Sequence, residues 1–236
     1  MRAGKTGSMA AVLMCTLLLG GCGMIGEKPW EPKETALDMK KNGTVSETVI
    51  DQLDQSYYNA DELKSMVESS VSEYNQVHGA DAIRIDSLMI EGGQVKLTMT
   101  YASAEDYADY NNVRFYNGSM LGAEIDGYLF YNQFRQVDDG QVTADGLSNE
   151  EALKHKEYQV LVTDMSHIVR VPGDVVYVSA NASPMSAREV RPTDTTTSSA
   201  QEGLVLPSSA VYTEVENEPV TAKDLEKTYL YIIYEF

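Results

Sequence analysis

The sequence predicts an α+β fold: an antiparallel or mixed sheet with a long N-terminal helix packed on one face, followed by a β-rich C-terminal half. Three observations lead to this fold. Apolar residues recur at helical spacing between Asn59 and Gly79, and apolar and polar residues alternate from Gln94 to Tyr101. In the C-terminal half, turn residues separate short β-branched runs, which is typical of strands. Residues 44–117 are therefore predicted to follow the order β-α-β-β-α-β.

The first predicted strand and the long helix follow one another at the start of this block. Residues 44–53 place apolar side chains among polar ones, which favours a strand. Asn59 is a suitable N-cap with Glu62 at the reciprocal capping-box position, and Gly79 ends the apolar repeat. We expect one apolar stripe of this helix to pack on the sheet: Leu63, Met66, Val67, Val71, Tyr74 and Val77.

A hairpin is predicted to follow the helix. Residues 83–90 form its first arm, the turn lies at residues 91–93, and the alternating segment described above forms its second arm. Ser103 and Asp106 then make another capping-box pattern, which predicts a short helix to about residue 111. Residues 113–116 predict a further short strand.

The middle of the chain carries weaker signals. Residues 120–125 favour a short helix, and residues 138–140 form a turn signal of the Asp-Asp-Gly type. Another short helix is predicted within residues 147–156. A subdivision of the domain near residues 126–146 stays open.

Strands are predicted through most of the remaining chain. The predicted strands lie at residues 158–163, 168–171 and 175–179. The Val-Pro-Gly-Asp turn between the last two favours a tight hairpin. Residues 181–203 are predicted to form a long polar loop. The nearly continuous apolar run at residues 229–236 predicts a central strand that is buried on both faces.

The N-terminal segment indicates export. Arg2 and Lys5 precede an apolar run at residues 9–19, and two glycines stand directly before Cys22. This order resembles the lipobox signal peptide of bacterial lipoproteins, with Leu at −3, a small residue at −1 and the acylated cysteine at +1. The run is too short to span a bilayer, which needs about 20 residues. An ordinary secretory peptide cleaved near Gly21 is the alternative.

The resemblance to bacterial lipoproteins implies a domain organisation and a location. Residues 1–21 would be the signal peptide, residues 22–43 a lipidated tether, and residues 44–236 an extracytoplasmic α+β domain. Cys22 would carry diacylglycerol and acyl chains such as palmitate, which would hold the protein on the extracytoplasmic face of the cell membrane. Cys22 would also be the only cysteine of the mature chain, which excludes an intrachain disulfide and thiol catalysis.

Several segments of the domain are similar to those of uncharacterised lipoproteins of gut clostridia. They are YYNADELKSMVESSVSEYN at residues 57–75, YASAEDYADYN at residues 101–111, VPGDVVYVS at residues 171–179 and the terminal YLYIIYEF. The similarity implies an anchored domain of the cell envelope. It implies no activity and no site.

Charge and motifs exclude several classes of function. The chain has 36 acidic and 18 basic residues and a formal net charge of −18, which repels nucleic acid. It contains no nucleophile elbow, zinc-protease motif, phosphate loop or dinucleotide fingerprint. His78, His155 and His167 are dispersed, and the calcium-loop spacing at residues 139–150 has Ala144 where glycine is needed. We therefore predict no catalytic residue, no metal and no cofactor.

Tyrosine is the unusual component, with 15 residues against four phenylalanines. Tyr107, Tyr110, Tyr116, Tyr128 and Tyr131 are candidates for a surface that binds glycan or peptide, although tyrosine also fills cores. The predicted function is a non-catalytic ligand- or protein-binding domain of the cell envelope, whose partners are the membrane and an envelope protein or glycan. The alternative is an envelope enzyme that acts on glycan through two carboxylates brought together by the fold.

Overall fold

The structure is a computed structural model that describes residues 30–53, 59–128, 130, 133–193 and 229–236. From Pro32 onward the described residues belong to one unit, which contains two β-sheets. Each sheet takes strands from both halves of the sequence, so the chain passes repeatedly from one sheet to the other. Long-range pairing between distant segments therefore defines the architecture.

The first sheet has seven strands. They are β1 (Ala36–Met39), β2 (Val45–Gln52), β3 (Ile83–Glu91), β4 (Gln94–Tyr101), β9 (Ile168–Arg170), β11 (Ala182–Pro184) and β12 (Glu189–Pro192). Their order across the sheet is β11-β12-β9-β1-β2-β4-β3. All neighbours are antiparallel except β1 and β9, which run parallel. Strands β3 and β11 form the two edges.

The second sheet has six strands, all antiparallel to their neighbours. They are β5 (Phe115–Ser119), β6 (Phe134–Asp138), β7 (Gln141–Leu147), β8 (Gln159–Thr163), β10 (Asp174–Ser179) and β13 (Leu230–Glu235). Their order is β5-β8-β13-β10-β6-β7. The predicted turn at residues 138–140 is confirmed, because Asp139 and Gly140 take the positive φ angles, 45° and 74°, that a tight hairpin requires.

Both sheets contribute side chains to one apolar core. Leu37 and Leu97 of the seven-stranded sheet and Leu161 and Ile232 of the six-stranded sheet belong to it, and all four are fully buried. The opposite face of the six-stranded sheet builds a second core, which contains Tyr231 and other side chains from neighbouring strands and short helices. The six-stranded sheet is therefore buried on both faces, whereas the seven-stranded sheet has one face in the core.

In the described part of the chain, four helices cover the sheets: α1 (Ala60–His78), α2 (Ala104–Asn111), α3 (Met120–Ile125) and α4 (Asn149–Leu153). Helix α1 begins as predicted, because the Asn59 side chain accepts hydrogen bonds from the backbone N–H groups of Asp61 and Glu62 at 2.9 and 3.3 Å. Val67 and Val71 are its buried residues. Helices α1 and α2 pack in the shared core, while α3 and α4 cover the second core.

The predicted fold class is wrong. The described residues form two sheets where one was expected, and within them strands β1 and β2 precede the long helix α1, so it does not stand at the N-terminal end of the described fold. Strand β5 belongs to the six-stranded sheet and not to the sheet of β2, β3 and β4. The local order of elements in residues 44–117 was predicted correctly, but local patterns do not state which sheet a strand joins.

Three further expectations are corrected by the pairing. The segment interpreted as a tether contains β1, whose four residues are all buried. The predicted hairpin around residues 172–173 does not form, because β9 and β10 belong to different sheets. Residues 182–192 of the predicted loop include β11 and β12, and residues 194–203 lie outside the described part of the chain.

The expectation for the last strand is confirmed. Strand β13 pairs with β8 on one side and β10 on the other. Its side chains alternate between the two cores: Ile232 belongs to the shared core and Ile233 to the second core. Both are 0% exposed.

Candidate functional site

The structure separates the five candidate tyrosines. Tyr107 and Tyr110 lie in the shared core and are 0% and 4% exposed. The Tyr107 ring packs edge-on against Tyr101 and Phe115, with centroids 5.0 and 4.8 Å apart. These two tyrosines therefore stabilise the packing of α2 and present no ring face to a ligand.

Tyr116 and Tyr128 do come together, and a tyrosine outside the predicted set joins them. The Tyr116 and Tyr128 ring centroids lie 5.5 Å apart, and those of Tyr128 and Tyr229 lie 5.9 Å apart. All three side chains are half-buried against the second core. Tyr131 lies outside the described residues. The sequence offered a signal for Tyr229, since it is the first residue of the strand predicted to be central.

Helix α3 holds this group in place. The Tyr116 hydroxyl donates a 3.0 Å hydrogen bond to the carbonyl of Ser119, and the Ser119 hydroxyl caps α3 by accepting from the Gly122 N–H at 3.0 Å. The Tyr116 hydroxyl fits closely over Gly122, where an added Cβ would lie 2.3 Å from the hydroxyl oxygen. At the other end of the helix, the Tyr128 N–H donates to the Ala123 carbonyl at 2.9 Å.

Two aliphatic side chains on α3 extend the aromatic group. Leu121 and Ile125 lie one helical turn apart and are 56% and 75% exposed. Tyr116 and Tyr128 contact the two ends of the helix that carries Leu121 and Ile125. We call these five side chains the tyrosine surface: Tyr116, Tyr128, Tyr229, Leu121 and Ile125. An exposed group of this composition is typical of an interaction site.

Charged residues border the tyrosine surface. The Lys156 ammonium lies 3.1 Å from the Glu124 carboxylate, and the Asp164 carboxylate accepts a 3.1 Å hydrogen bond from the Arg114 N–H. Burial raises the pKa of Tyr128, with Asp126 and Asp164 adding to the shift while Arg114 opposes it. Its phenol therefore stays protonated at neutral pH and can donate a hydrogen bond to a ligand.

A buried carboxylate lies elsewhere, in the shared core. Glu47 of β2 is 4% exposed, and its oxygens accept hydrogen bonds from the hydroxyls of Tyr101 at 2.7 Å and Tyr107 at 3.4 Å. The Asn111 amide donates to the Tyr101 hydroxyl at 3.3 Å. Burial raises the pKa of Glu47 to about 7, against the opposing effect of the two hydroxyl donors. We call these four residues the buried acid cluster.

Sequence reasoning missed Glu47, although the pattern contained a signal. Glu47 stands between Val45 and Val49, so strand alternation places it on the apolar face of β2. A carboxylate there needs hydrogen-bond donors, and tyrosines on other elements provide them. The cluster is enclosed by its own partners, so it stabilises the core and has no open side for a substrate.

Comparison of the chain with protein-family models, with curated proteins and with solved structures gives no match. Within the described ranges, no helix combines the length and the apolar character that a membrane span requires. In the same ranges, no three His, Cys, Asp or Glu side chains are grouped as metal ligands.

Proposed function

We propose that this protein is a membrane-anchored lipoprotein of the cell envelope that binds another envelope protein through the tyrosine surface. Its anchor is the diacylglycerol on Cys22, which places the domain on the extracytoplasmic side of the membrane. Cys22 lies outside the described residues, so the proposal for the anchor depends on the lipobox pattern. The observation that carries the binding proposal is the exposure of Leu121 and Ile125 on α3, the helix whose two ends contact the half-buried Tyr116 and Tyr128.

The chemistry of this surface favours a protein partner. Tyrosine supplies a large contact area with little loss of conformational entropy, and it is enriched at protein interfaces. Leu121 and Ile125 add aliphatic area, which a sugar ring uses less well than an apolar side chain. Ionic groups such as Glu124 and Lys156 provide a polar rim. A glycan ligand is the other possible outcome of the tests below.

The buried acid cluster does not favour the carboxylate enzyme. A glycosidase places two carboxyl groups on either side of an accessible bond. Glu47, whose pKa of about 7 would suit a general acid, is 4% exposed and contacts tyrosine hydroxyls. A substrate would have to displace Tyr101 and Tyr107 from the core to reach it.

A crosslinking experiment in intact cells tests the binding surface. A photoreactive amino acid replaces Leu121 in one variant and Val142, 42% exposed on β7 at the opposite sheet edge from β5, in the matched control. We expect a discrete crosslinked protein from position 121 that is missing from position 142 and is reduced in a Tyr128→Ala background. Equal adducts from both positions, or none from position 121, would contradict the proposal. A carbohydrate adduct would assign the surface to a glycan.

Metabolic labelling tests the anchor separately. A fatty-acid analogue should label the wild-type protein and leave Cys22→Ala unlabelled, while Cys15→Ala should keep the label. Wild-type protein that carries no label, or that is released into the medium without an acyl chain, would refute lipid anchoring. The crosslinking experiment tests the tyrosine surface independently of this result.

A further inference from the structure

A second concave feature lies on the seven-stranded sheet, away from the tyrosine surface. A groove of about 490 Å³ runs between α1 and β3. Three lining residues are apolar, Val71, Ala80 and Ile85, and four residues of α1 are polar, Glu68, Ser72, Asn75 and Gln76. Val71 is buried, Ile85 is half-buried and Ala80 is exposed. Glu68, Ser72 and Gln76 are exposed, so the groove opens to solvent.

One side of this groove is the edge of a sheet. Strand β3 pairs with β4 and stands last in the strand order. The Asn75 side chain occupies the start of this edge: its amide donates to the Ile83 carbonyl at 2.8 Å, and its oxygen accepts from the Ile83 N–H at 2.9 Å. Asn75 thus makes the two bonds that a neighbouring strand would make.

The next edge position is open to a partner. In an antiparallel pair, backbone groups point alternately toward the neighbouring strand and away from it. Because both groups of Ile83 point away from β4 toward Asn75, those of Ile85 point the same way, into the groove. No hydrogen bond within the described residues is recorded for this edge of Ile85. A β-bulge between Ile85 and Ser87 follows, so pairing would begin at Ile85.

We propose that an extended peptide segment of a partner protein binds in this groove as an eighth strand beside β3. Its backbone pairs with Ile85, and one apolar side chain lies on Val71 and Ile85. An edge strand beside a helix-lined groove is the arrangement that β-strand addition uses, in which backbone bonds provide affinity and alternate side chains provide specificity.

Charge decides between a peptide and a second copy of this chain. Glu68 lies in the groove wall, and its only described ion pair is a 3.8 Å contact with Lys64 between two exposed side chains, which contributes little. Two copies that met edge to edge would bring together chains of net charge −18. The segment therefore carries a lysine or arginine next to its apolar residue.

A displayed library of random nine-residue peptides, selected on the full-length protein, tests the proposal. We expect enrichment of sequences with alternating apolar residues and a basic residue beside one of them. A synthetic copy of an enriched peptide should bind Ser72→Trp, whose ring fills the groove, at least tenfold more weakly than wild type. Glu68→Lys should weaken binding at least fivefold, and Glu73→Lys, the same change outside the groove, should change it less than twofold.

Hydrogen exchange distinguishes strand addition from non-specific binding, because a peptide that binds non-specifically would not slow exchange of the Ile85 N–H. The Ile85 N–H should exchange rapidly in the free protein and at least tenfold more slowly with the peptide bound. The proposal is overturned if no sequence pattern is enriched, if enriched peptides are acidic, or if Ser72→Trp binds as wild type does. Concentration-dependent dimers that protect Ile85 without peptide would also overturn it, and would assign the edge to a second copy.

Discussion

The Tyr101 hydroxyl donates a 2.7 Å hydrogen bond to a carboxylate oxygen of Glu47 inside the shared core. The pair joins β4 to β2, while Tyr107 brings α2 to the same carboxyl group. Burial favours the protonated form of this carboxyl group, which is 4% exposed, and raises its pKa to about 7, although the two hydroxyl donors favour the ionised form. This relationship makes the stability of the domain depend on pH.

The first prediction concerns this pH dependence. The folded-state pKa of Glu47, about 7, lies above its ordinary value of 4.5, so the folded protein holds a proton that the unfolded chain releases. The contribution of Glu47 to stability is complete below pH 4.5 and is lost as pH rises to 7. Relative to Glu47→Gln, the free energy of unfolding of the wild type should fall by about 3 kcal/mol across this range.

Urea unfolding of both proteins at a series of pH values measures this difference. Three phenols face the carboxylate, those of Tyr101, Tyr107 and Tyr110. Burial is the main cause that raises their pKa values, and the negative charge of Asp164 raises the pKa of Tyr107 further. The three phenols stay neutral over this range, so the difference reports Glu47. The exposed Glu73→Gln should show a flat difference, within about 0.5 kcal/mol. A difference in the free energy of unfolding between wild type and Glu47→Gln that does not change with pH would show that the pKa of Glu47 is not raised in the folded protein.

The second prediction concerns the central strand. Ile232 is fully buried in the shared core, and truncation to alanine leaves a cavity. Ile232→Ala should lower the free energy of unfolding by about 2–5 kcal/mol, while Val77→Ala, at a position 80% exposed, should change it by less than about 0.5 kcal/mol. Removal of residues 229–236 should abolish the cooperative transition. A folded, soluble truncation product would refute the central role of β13.

The third prediction concerns the contact between α1 and the edge strand. Asn75→Leu removes both side-chain hydrogen bonds to the Ile83 backbone. The N–H and C=O groups of Ile83 then lack these partners. The expected loss is about 1–3 kcal/mol in denaturant unfolding. Gln76→Leu, one position along the helix and exposed, is the matched control. Equal stability of the two variants would mean that water replaces the Asn75 amide at no cost.

The fourth prediction concerns the close fit of Tyr116 over α3. A Cβ at Gly122 would lie 2.3 Å from the Tyr116 hydroxyl oxygen, so Gly122→Ala should destabilise the wild type even though alanine favours helix by about 1 kcal/mol. In a Tyr116→Phe background the same change should be neutral or stabilising. A double-mutant cycle measures the coupling. Additive effects would show that the hydroxyl does not occupy this position.

Local signals allowed helix α1 and strand β4 to be predicted from sequence. Asn59 and Gly79 mark the ends of α1 through backbone chemistry that involves residues close in the chain. The alternation of apolar and polar residues in β4 requires only that one face of the strand is buried. The predicted single sheet and the observed two-sheet fold both meet this requirement. Such elements are predictable because their stabilising partners lie within a few residues.

The sheets and the tyrosine surface depend on distant partners instead. Strand β5 follows β4 and α2 in the chain, yet it pairs with β8. Tyr116 and Tyr229 both contact Tyr128, and Tyr229 reaches it from the far end of the chain because β13 pairs within the six-stranded sheet. Hydrophobic periodicity and helix-capping patterns do not indicate which distant strands pair. The five candidate tyrosines predicted from sequence therefore included two core residues, Tyr107 and Tyr110, and omitted Tyr229.

The position of β13 also has a consequence for biosynthesis. Residues 230–235 supply the strand between β8 and β10 and contribute to both cores. While a ribosome is still extending the chain toward these residues, the six-stranded sheet lacks its middle and neither core can close. The growing polypeptide therefore lacks a complete core until residue 235 has been made.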